Sequence, residues 1–341
     1  MVVLSDIKEI IKNKDLVSFF DKKSILITGA SGLIGSMLIK VFDFANTEYD
    51  LNIDITGLAR DEEKAKSILG DVIDKITIIY SDAFEVEGEY DYIIHTASPT
   101  RSSFFVNYPV ETIEAIVFGT KNMLELAKSN NSTFVYISSM EEYGVPYING
   151  EIMTEDKVGV VDHLNTRACY PESKRMCECM CVAYNSEHDL DTRIVRLAQT
   201  FGAGMPLTDN RVSMQFAKSV IENKNIVLHT EGKSISNFCY LTDALVAILT
   251  IIVRGQKGEV YNVCNDDETR SIYDIAKLVA SEVANGKIDV EINISENKGY
   301  APDNTMRLSS KKLNGLGWIP KVSMVDGYKR IVCYIKEEML L

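Results

Sequence analysis

The stretch SILITGASGLIG, residues 24–35, decides the fold. Its first five residues form a β-rich run. Gly29, Gly32 and Gly35 then punctuate a turn that leads into SMLIKVFDF, where apolar residues recur at helical spacing. A strand that ends in a glycine turn and opens a helix is the start of a βαβ unit. Glycines there permit a tight turn and let a pyrophosphate approach the backbone N–H groups at a helix N-terminus. Taken alone, GxxGxxG is a weak signal that a capping turn would also satisfy. Placed after the first β-run, it predicts a dinucleotide site built from Gly29, Ser31, Gly32, Leu33, Ile34 and Gly35.

The same alternation continues on the C-terminal side. A second strand is expected at Ile53 to Leu58, a charged helix at Asp61 to Leu69, a third strand at ITIIY and a fourth at YDYIIH. Helical spacing returns at Pro109 to Ser129 and at Arg167 to His188, with β-rich runs at Thr133 to Ile137 and TRIVRLA. Strands alternating with helices imply right-handed crossovers and a parallel sheet covered on both faces. Upstream, Leu4, Ile7, Ile10 and Ile11 predict an amphipathic helix. Past Leu197 the strands IVLHT, EVYNV and KIDVEINI are separated by helices at Val212 to Asn223, Asp243 to Arg254, Ile272 to Ala284 and Ser309 to Gly315. The expected architecture is α/β. It has a helical extension over 1–23, a Rossmann-type doubly wound parallel sheet over 24–197 and a smaller C-terminal α/β substrate lobe over 198–341, with an interleaved boundary.

Composition narrows the function. The 341 residues carry 36 Lys plus Arg against 49 Asp plus Glu, a formal charge of −13 that repels nucleic acid and anionic lipid. An anionic ligand therefore needs local arginines or helix N-termini. The longest apolar run, Ala244 to Val253, is about half of the ~20 residues a membrane span requires and reads as a buried helix. No secretory signal is visible at the N-terminus. The seven cysteines lack metal-ligand spacing and predict reduced, packing thiols in a cytoplasmic protein with no metal site.

Two further stretches carry chemistry. The second strand should end in a carboxylate for a ribose 2′-hydroxyl, or be followed by arginine for a 2′-phosphate. Here Ala59 is followed by Arg60, which leans toward NADP and leaves NAD open, because Asp61, Glu62 and Glu63 would partly cancel its field. Tyr170 and Lys174 stand at i and i+4, so phenol and ammonium share one helix face. A nearby cation favours the phenolate and lets a tyrosine of ordinary pKa near 10 act as a base closer to neutrality. Ser138 and Ser139, at the end of the preceding strand, would place a hydroxyl beside that phenol.

With these pieces in place the chain resembles an extended short-chain dehydrogenase/reductase of the NAD-dependent epimerase/dehydratase family, which acts on nucleotide sugars. The matching pieces are TGASGLIG, Asp82 after the third strand, HTAS, GTKNMLELA, YISSMEEYG, YPESKR, RLAQTFGAGM, FCYLTD, EVYNV and LGWIPKVS. They run from about residue 24 to 325. The resemblance implies that Tyr170 is the general base toward a sugar hydroxyl, that Lys174 holds the nicotinamide ribose, and that Ser139 bonds the same sugar oxygen. It also implies that Asp82 and Ala83 contact the adenine side, that Ala97 and Ser98 line the cofactor, and that Arg211 and Arg307 hold the nucleotide diphosphate, a group a guanidinium fork suits. Met140 and Gln199 complete the implied substrate set. The chain departs from its relatives at Ile116 and Gln199, where they usually carry asparagine, and at Ser236 and Asn237, where many place an arginine.

The reaction turns on SSMEEYG. Glu141 matches the glutamate of many dehydratases and decarboxylases and could exchange a proton with C5 of a 4-keto sugar, or it could cap a turn. Met140 departs from dehydratases with an aspartate at that position. The leading expectation is a 4,6-dehydratase with tightly bound NADP or NAD. The alternatives are a 4-epimerase, a uronic-acid-sugar decarboxylase, or a non-catalytic nucleotide-binding module. The expected partners are a nucleotide-diphosphate sugar and, by analogy, a second copy joined through a four-helix interface of the two long helices.

Overall fold

Parallel pairing of seven β-rich runs builds the central sheet of the computed structural model, which describes residues 1–81, 86–294 and 304–340. The chain begins with α1 (Val2–Ile11) and α2 (Lys14–Ser18), then runs β1 (Ser24–Thr28), α3 (Leu33–Tyr49), β2 (Asp54–Ala59), α4 (Glu62–Leu69) and β3 (Thr77–Tyr80). It continues through β4 (Tyr92–His95), α5 (Ser102–Asn107), α6 (Pro109–Asn130), β5 (Thr133–Ser139), β6 (Ile152–Met153), α7 (Cys169–His188), β7 (Thr192–Leu197) and β8 (Gln199–Phe201). Next come α8 (Val212–Glu222), β9 (Ile226–Leu228), β10 (Ile235–Tyr240), α9 (Leu241–Arg254), β11 (Val260–Val263), β12 (Asn265–Ser271) and α10 (Ile272–Leu278). The last elements are β13 (Val290–Ile292), β14 (Arg307–Leu308), α11 (Lys311–Asn314) and α12 (Met324–Leu340).

The large sheet has the order β11-β7-β5-β4-β1-β2-β3. Ile25, Leu26 and Ile27 are wholly buried because helices cover both faces of β1, which is why that strand reads as an unbroken apolar run. The chain steps outward from β1 to β3, then returns across β1 to β4. That reversal opens a crevice at the carboxyl ends of β1 and β4, the place where open α/β sheets bind ligands.

Both ends of the chain join this unit. Ile7, Ile10, Ile11, Leu16, Val17 and Phe20 enter the same core as α3 and α9. Leu4, expected on the apolar face, is instead exposed. Asp6 is buried on α1, where it accepts from Arg330 and from the Tyr240 hydroxyl, both at 2.8 Å. From beyond residue 197, α9 covers the large sheet and EVYNV becomes its edge strand β11, pairing with β7. Smaller sheets of order β12-β10-β8 and β13-β9 surround a second core with α8, α10 and α12, and β14-β6 packs Met153 and Leu308 in a small cluster with Met140 and Tyr143.

Several boundaries moved. KIDVEINI pairs only over Val290–Ile292, and the Ser309 to Gly315 helix shortens to α11. The helix from Ile272 becomes α10 followed by a wider turn over Val279–Val283. Arg167 falls in a tight turn, Thr166–Ala168, before α7 starts, and Pro171 sits in the first turn of α7, where an N–H has no intrahelical partner to lose. Sequence reading passed over α12, whose Tyr328, Ile331, Val332 and Ile335 form its buried stripe. No helix among the described residues is long and apolar enough to cross a membrane.

Asp243 ties the C-terminal segment to α9. Its carboxylate accepts from the amides of Lys321 and Val322 at 2.9 and 2.8 Å, while its carbonyl accepts from Trp318 Nε1 at 3.0 Å. Burial raises its carboxyl to about 6. Asp243→Ala should cost roughly 1–3 kcal/mol by stranding those amides. A urea titration should show a lower midpoint with an unchanged slope, and an unchanged midpoint would show that the tether does not matter.

Candidate functional site

The glycine turn is closed by contact, not only by preference. Gly29 has φ +70°, and a Cβ there would come within 3.0 Å of the Ala97 backbone. A Cβ on Gly35 would stand 2.4 Å from the Gly29 carbonyl oxygen, and one on Gly32 3.1 Å from it. The first turn of α3 therefore packs directly on the end of β1. Gly32 caps α3 without a side chain, so amides of that first turn remain available to an anion. Ser31, Leu33 and Ile34 lie on the same turn. A dinucleotide pyrophosphate fits this cradle, and a side chain at Gly35 would push the first turn of α3 away from the Gly29 carbonyl that shapes it.

His95 buttresses the far wall. It is buried between Thr28 at 2.8 Å and Thr120 at 3.2 Å, and burial lowers its pKa to about 3, so it is neutral. The Thr28 hydroxyl also accepts from the Ala97 amide at 3.1 Å, and Thr96 donates to the Thr28 carbonyl at 2.7 Å. These bonds hold Ala97 against the glycine turn, with Ser98 next in the chain. On the opposite wall Ala59 is buried at the end of β2, and Arg60 is exposed beside it. Asp61 is engaged in capping α4 through the Lys64 amide, and Glu62 and Glu63 face Lys66. Asp82 and Ala83 lie outside the described residues.

The catalytic candidates meet where β5 ends and α7 begins. Tyr170 and Lys174 are both buried on α7. Lys174 donates from Nζ to the Ile137 carbonyl at 2.9 Å and stands 4.9 Å above the Tyr136 ring and 5.7 Å from the Tyr170 ring centre. Burial lowers its ammonium to about 8. Burial also pushes the Tyr170 phenol up, Glu141 adds to that rise, and the Ser139 hydroxyl, within hydrogen-bonding reach, and Arg167 oppose it. Sequence reasoning assigned the cationic help to Lys174; in the structure Arg167 supplies it.

Ser139 accepts from the Glu141 amide at 3.2 Å and so caps the tight turn Met140–Tyr143. Glu141 does not cap that turn with its side chain; it pairs with Arg167 at 3.0 Å. The Arg167 guanidinium lies over the Phe105 ring at 4.9 Å, and Phe105 stacks on Tyr170 at 4.3 Å with 17° between the rings. Neither Arg167 nor Phe105 was singled out from sequence. Arg167 had a signal, its i−3 spacing from Tyr170. Phe105 had none, because α5 reaches the site only through the tertiary fold.

On the other side of the crevice, Ser236 donates to the Met140 sulfur at 3.4 Å. Asn237 is fully buried, donating to Thr269 at 2.8 Å and accepting from the Leu308 amide at 2.6 Å. This pair knits β10 to its neighbours and presents no charge. Gln199 is exposed at the start of β8, and Arg307 is exposed on β14 opposite Ile152. Arg211 precedes α8 and is held by Asp209 at 2.9 Å. The fold brings Ser139, Glu141, Tyr170 and Lys174 together, and leaves Gln199, Arg211 and Arg307 on exposed positions of the smaller sheets and α8.

Residues 25–264 match the NAD dependent epimerase/dehydratase family. UDP-glucuronic acid decarboxylase 6 of Arabidopsis thaliana is 30% identical over 310 residues, covering 91% of this chain and 88% of the relative. Among solved structures, UDP-glucose 4-epimerase of Thermotoga maritima, with UDP-glucose, superimposes with a TM-score of 0.78 at 18% identity, over 93% of this chain and 99% of that one. A mutant UDP-glucuronic acid 4-epimerase of Bacillus cereus, in complex with NAD and a fluorinated uronic acid nucleotide, gives 0.77 at 20% identity over 92% and 99%. Because the family match runs from β1 through β11, taking in the whole large sheet and the crevice at its carboxyl ends, the chain belongs to the NAD-dependent epimerase/dehydratase family.

Proposed function

We propose that this protein decarboxylates a nucleotide-linked uronic acid sugar through a 4-keto intermediate. The observation that carries this reading is the similarity, over nine-tenths of the chain, to proteins named UDP-glucuronic acid decarboxylases. Glu141 alone points equally to 4,6-dehydration, but Met140 argues against it. Loss of a C6 hydroxyl needs a proton donor beside Glu141, and a thioether has none to give, whereas carbon dioxide leaves without protonation.

NAD or NADP, when bound, would supply the two-electron oxidation of C4 and its later reversal. Tyr170 takes the proton of the C4 hydroxyl, and Ser139 holds the same oxygen. Lys174 binds the ribose next to the nicotinamide. A ketone at C4 is β to the C6 carboxylate, so the C5–C6 bond breaks with its electrons flowing to the C4 oxygen, and C5 then takes a proton. Glu141, held beside Tyr170 by Arg167, exchanges that proton with C5. Gly29, Ser31, Gly32, Leu33, Ile34, Gly35, Ala97 and Ser98 hold the cofactor.

The smaller lobe, over about 198–341, supplies the substrate contacts Gln199, Arg211 and Arg307, with Met140 and Ser139 from the large sheet. Arg60 beside Ala59 biases the cofactor toward NADP. Val110, Ile113 and Phe118 on α6 and Met176 and Val182 on α7 are exposed apolar residues, which supports a homodimer through these two helices.

Three measurements test these assignments. Tyr170→Phe should retain NAD and lose about 10² to 10⁴-fold in turnover, the usual weight of general acid–base catalysis; a wild-type rate would remove Tyr170 from its role. With UDP-glucuronate in D2O, the wild type should release carbon dioxide and leave deuterium at C5, and Glu141→Gln should do so orders of magnitude more slowly. A C4 epimer that keeps its carboxyl and carries no deuterium would make the epimerase the better account. Arg60→Ala should weaken NADP binding more than NAD binding, and equal loss of both would reduce Arg60 to a surface charge.

A further inference from the structure

Beneath the Met140–Tyr143 turn lies a buried set of charges that the reaction above does not use. Arg196 on β7 donates from Nε to both oxygens of Glu178 at 3.1 Å and from Nη2 to one of them at 2.7 Å. Its Nη1 donates to the Tyr143 hydroxyl at 2.7 Å, which in turn donates to Asn262 at 2.9 Å. Ser138 donates to Glu178 as well. One guanidinium and one carboxylate already form a satisfied pair.

Glu142 places a second carboxylate there. It is 4% exposed, and its Oε1 lies 3.1 Å from the same Arg196 Nε. That distance is close enough for an ion pair, yet no hydrogen bond reaches Oε1, because Nε already points at Glu178. Around Glu142, α7 presents Glu178, Arg175 and Cys179, β7 presents Arg196, and the chain of the turn itself presents Tyr143 and, just beyond it, Tyr147. Arg175 contributes no hydrogen bond to the Glu142 carboxylate. It donates instead to the carbonyls of Glu142 at 2.6 Å, Tyr143 at 3.1 Å and Gly159 at 2.9 Å. A cavity of about 540 Å³ bordered by Glu142, Glu178, Arg175 and Arg196 connects the cluster with solvent.

We propose that Glu142 is a proton-linked positioning residue for the turn that carries Met140 and Glu141. With a proton on Glu142, Arg196 belongs to Glu178 and Tyr143, and the turn stays seated. Once ionised, Glu142 competes for Nε and loosens the Arg196 bond to Tyr143, the last residue of the turn. Burial, and then the nearby Glu178 charge, raise Glu142 to about 7. The folded protein therefore favours the protonated form. The stability this contributes is complete below the ordinary carboxylate range and is lost as pH rises through about 7. The inference rests on the proposed roles of Ser139 and Glu141 only for its effect on turnover.

Hydrogen–deuterium exchange of the full chain at pH 6 and pH 8, followed in the peptide spanning residues 138–144 and corrected for intrinsic amide rates, tests the proposal directly. The wild type should open several-fold more at the higher pH. Glu142→Gln, and Glu142→Met as a second variant, should open equally at both. A wild type that opens equally at both, or variants that keep its rise, would overturn the proposal. In parallel, the wild-type rate of carbon dioxide release from UDP-glucuronate should fall across this interval, and Glu142→Gln should remove that step. If no form of the protein releases carbon dioxide, the decarboxylase reading fails and the exchange measurement still decides the role of Glu142.

Discussion

The approach of Gly35 to the Gly29 carbonyl is the constraint from which the site follows. With room for no Cβ between them, the end of β1 and the first turn of α3 form one rigid corner. The corner directs helix amides into the crevice, and the reversal of strand order between β1 and β4 leaves that crevice open. Thr28, one residue before the turn, carries the constraint across to β4 through His95 and Ala97. A neutral, buried histidine is the price of a wall that does not depend on solvent.

The reacting half is built on a different principle. Its polar groups are taken out of water and then satisfied by backbone or by each other. Lys174 loses hydration and gains the Ile137 carbonyl; Tyr170 lies under Phe105 and near Ser139. Burial moves phenol and ammonium in the directions that bring their proton affinities away from their ordinary values, up for the tyrosine and down for the lysine. Glu141 and Arg167 border this pocket, remain partly exposed and pair with each other at 3.0 Å.

Below that pocket the structure holds one carboxylate more than its guanidinium can pair with. A buried ion pair is costly unless both members are satisfied, and Glu178 with Arg196 meets that condition while Glu142 does not. The surplus acid sits in the same turn as Glu141, so any cost of its ionisation is borne by the backbone that positions the site.

The sequence by itself determined the βαβ beginning, the parallel sheet and the glycine cradle, because each depends on local rules: apolar runs, glycines at a turn, an i to i+4 pair on one helix. Tyr170, Lys174 and Ser139 were legible for the same reason, while the family resemblance added their roles and singled out Glu141. Residues 260–263 and the helix before them were harder to place, since a short apolar strand carries no mark of the sheet it will join. Phe105 over Tyr170, Arg167 on Glu141, and Arg196 between Glu178 and Glu142 were decided only by the tertiary structure. Those contacts join elements far apart in the chain, and whether a charge is paired, buried or left over depends on which elements the fold sets side by side.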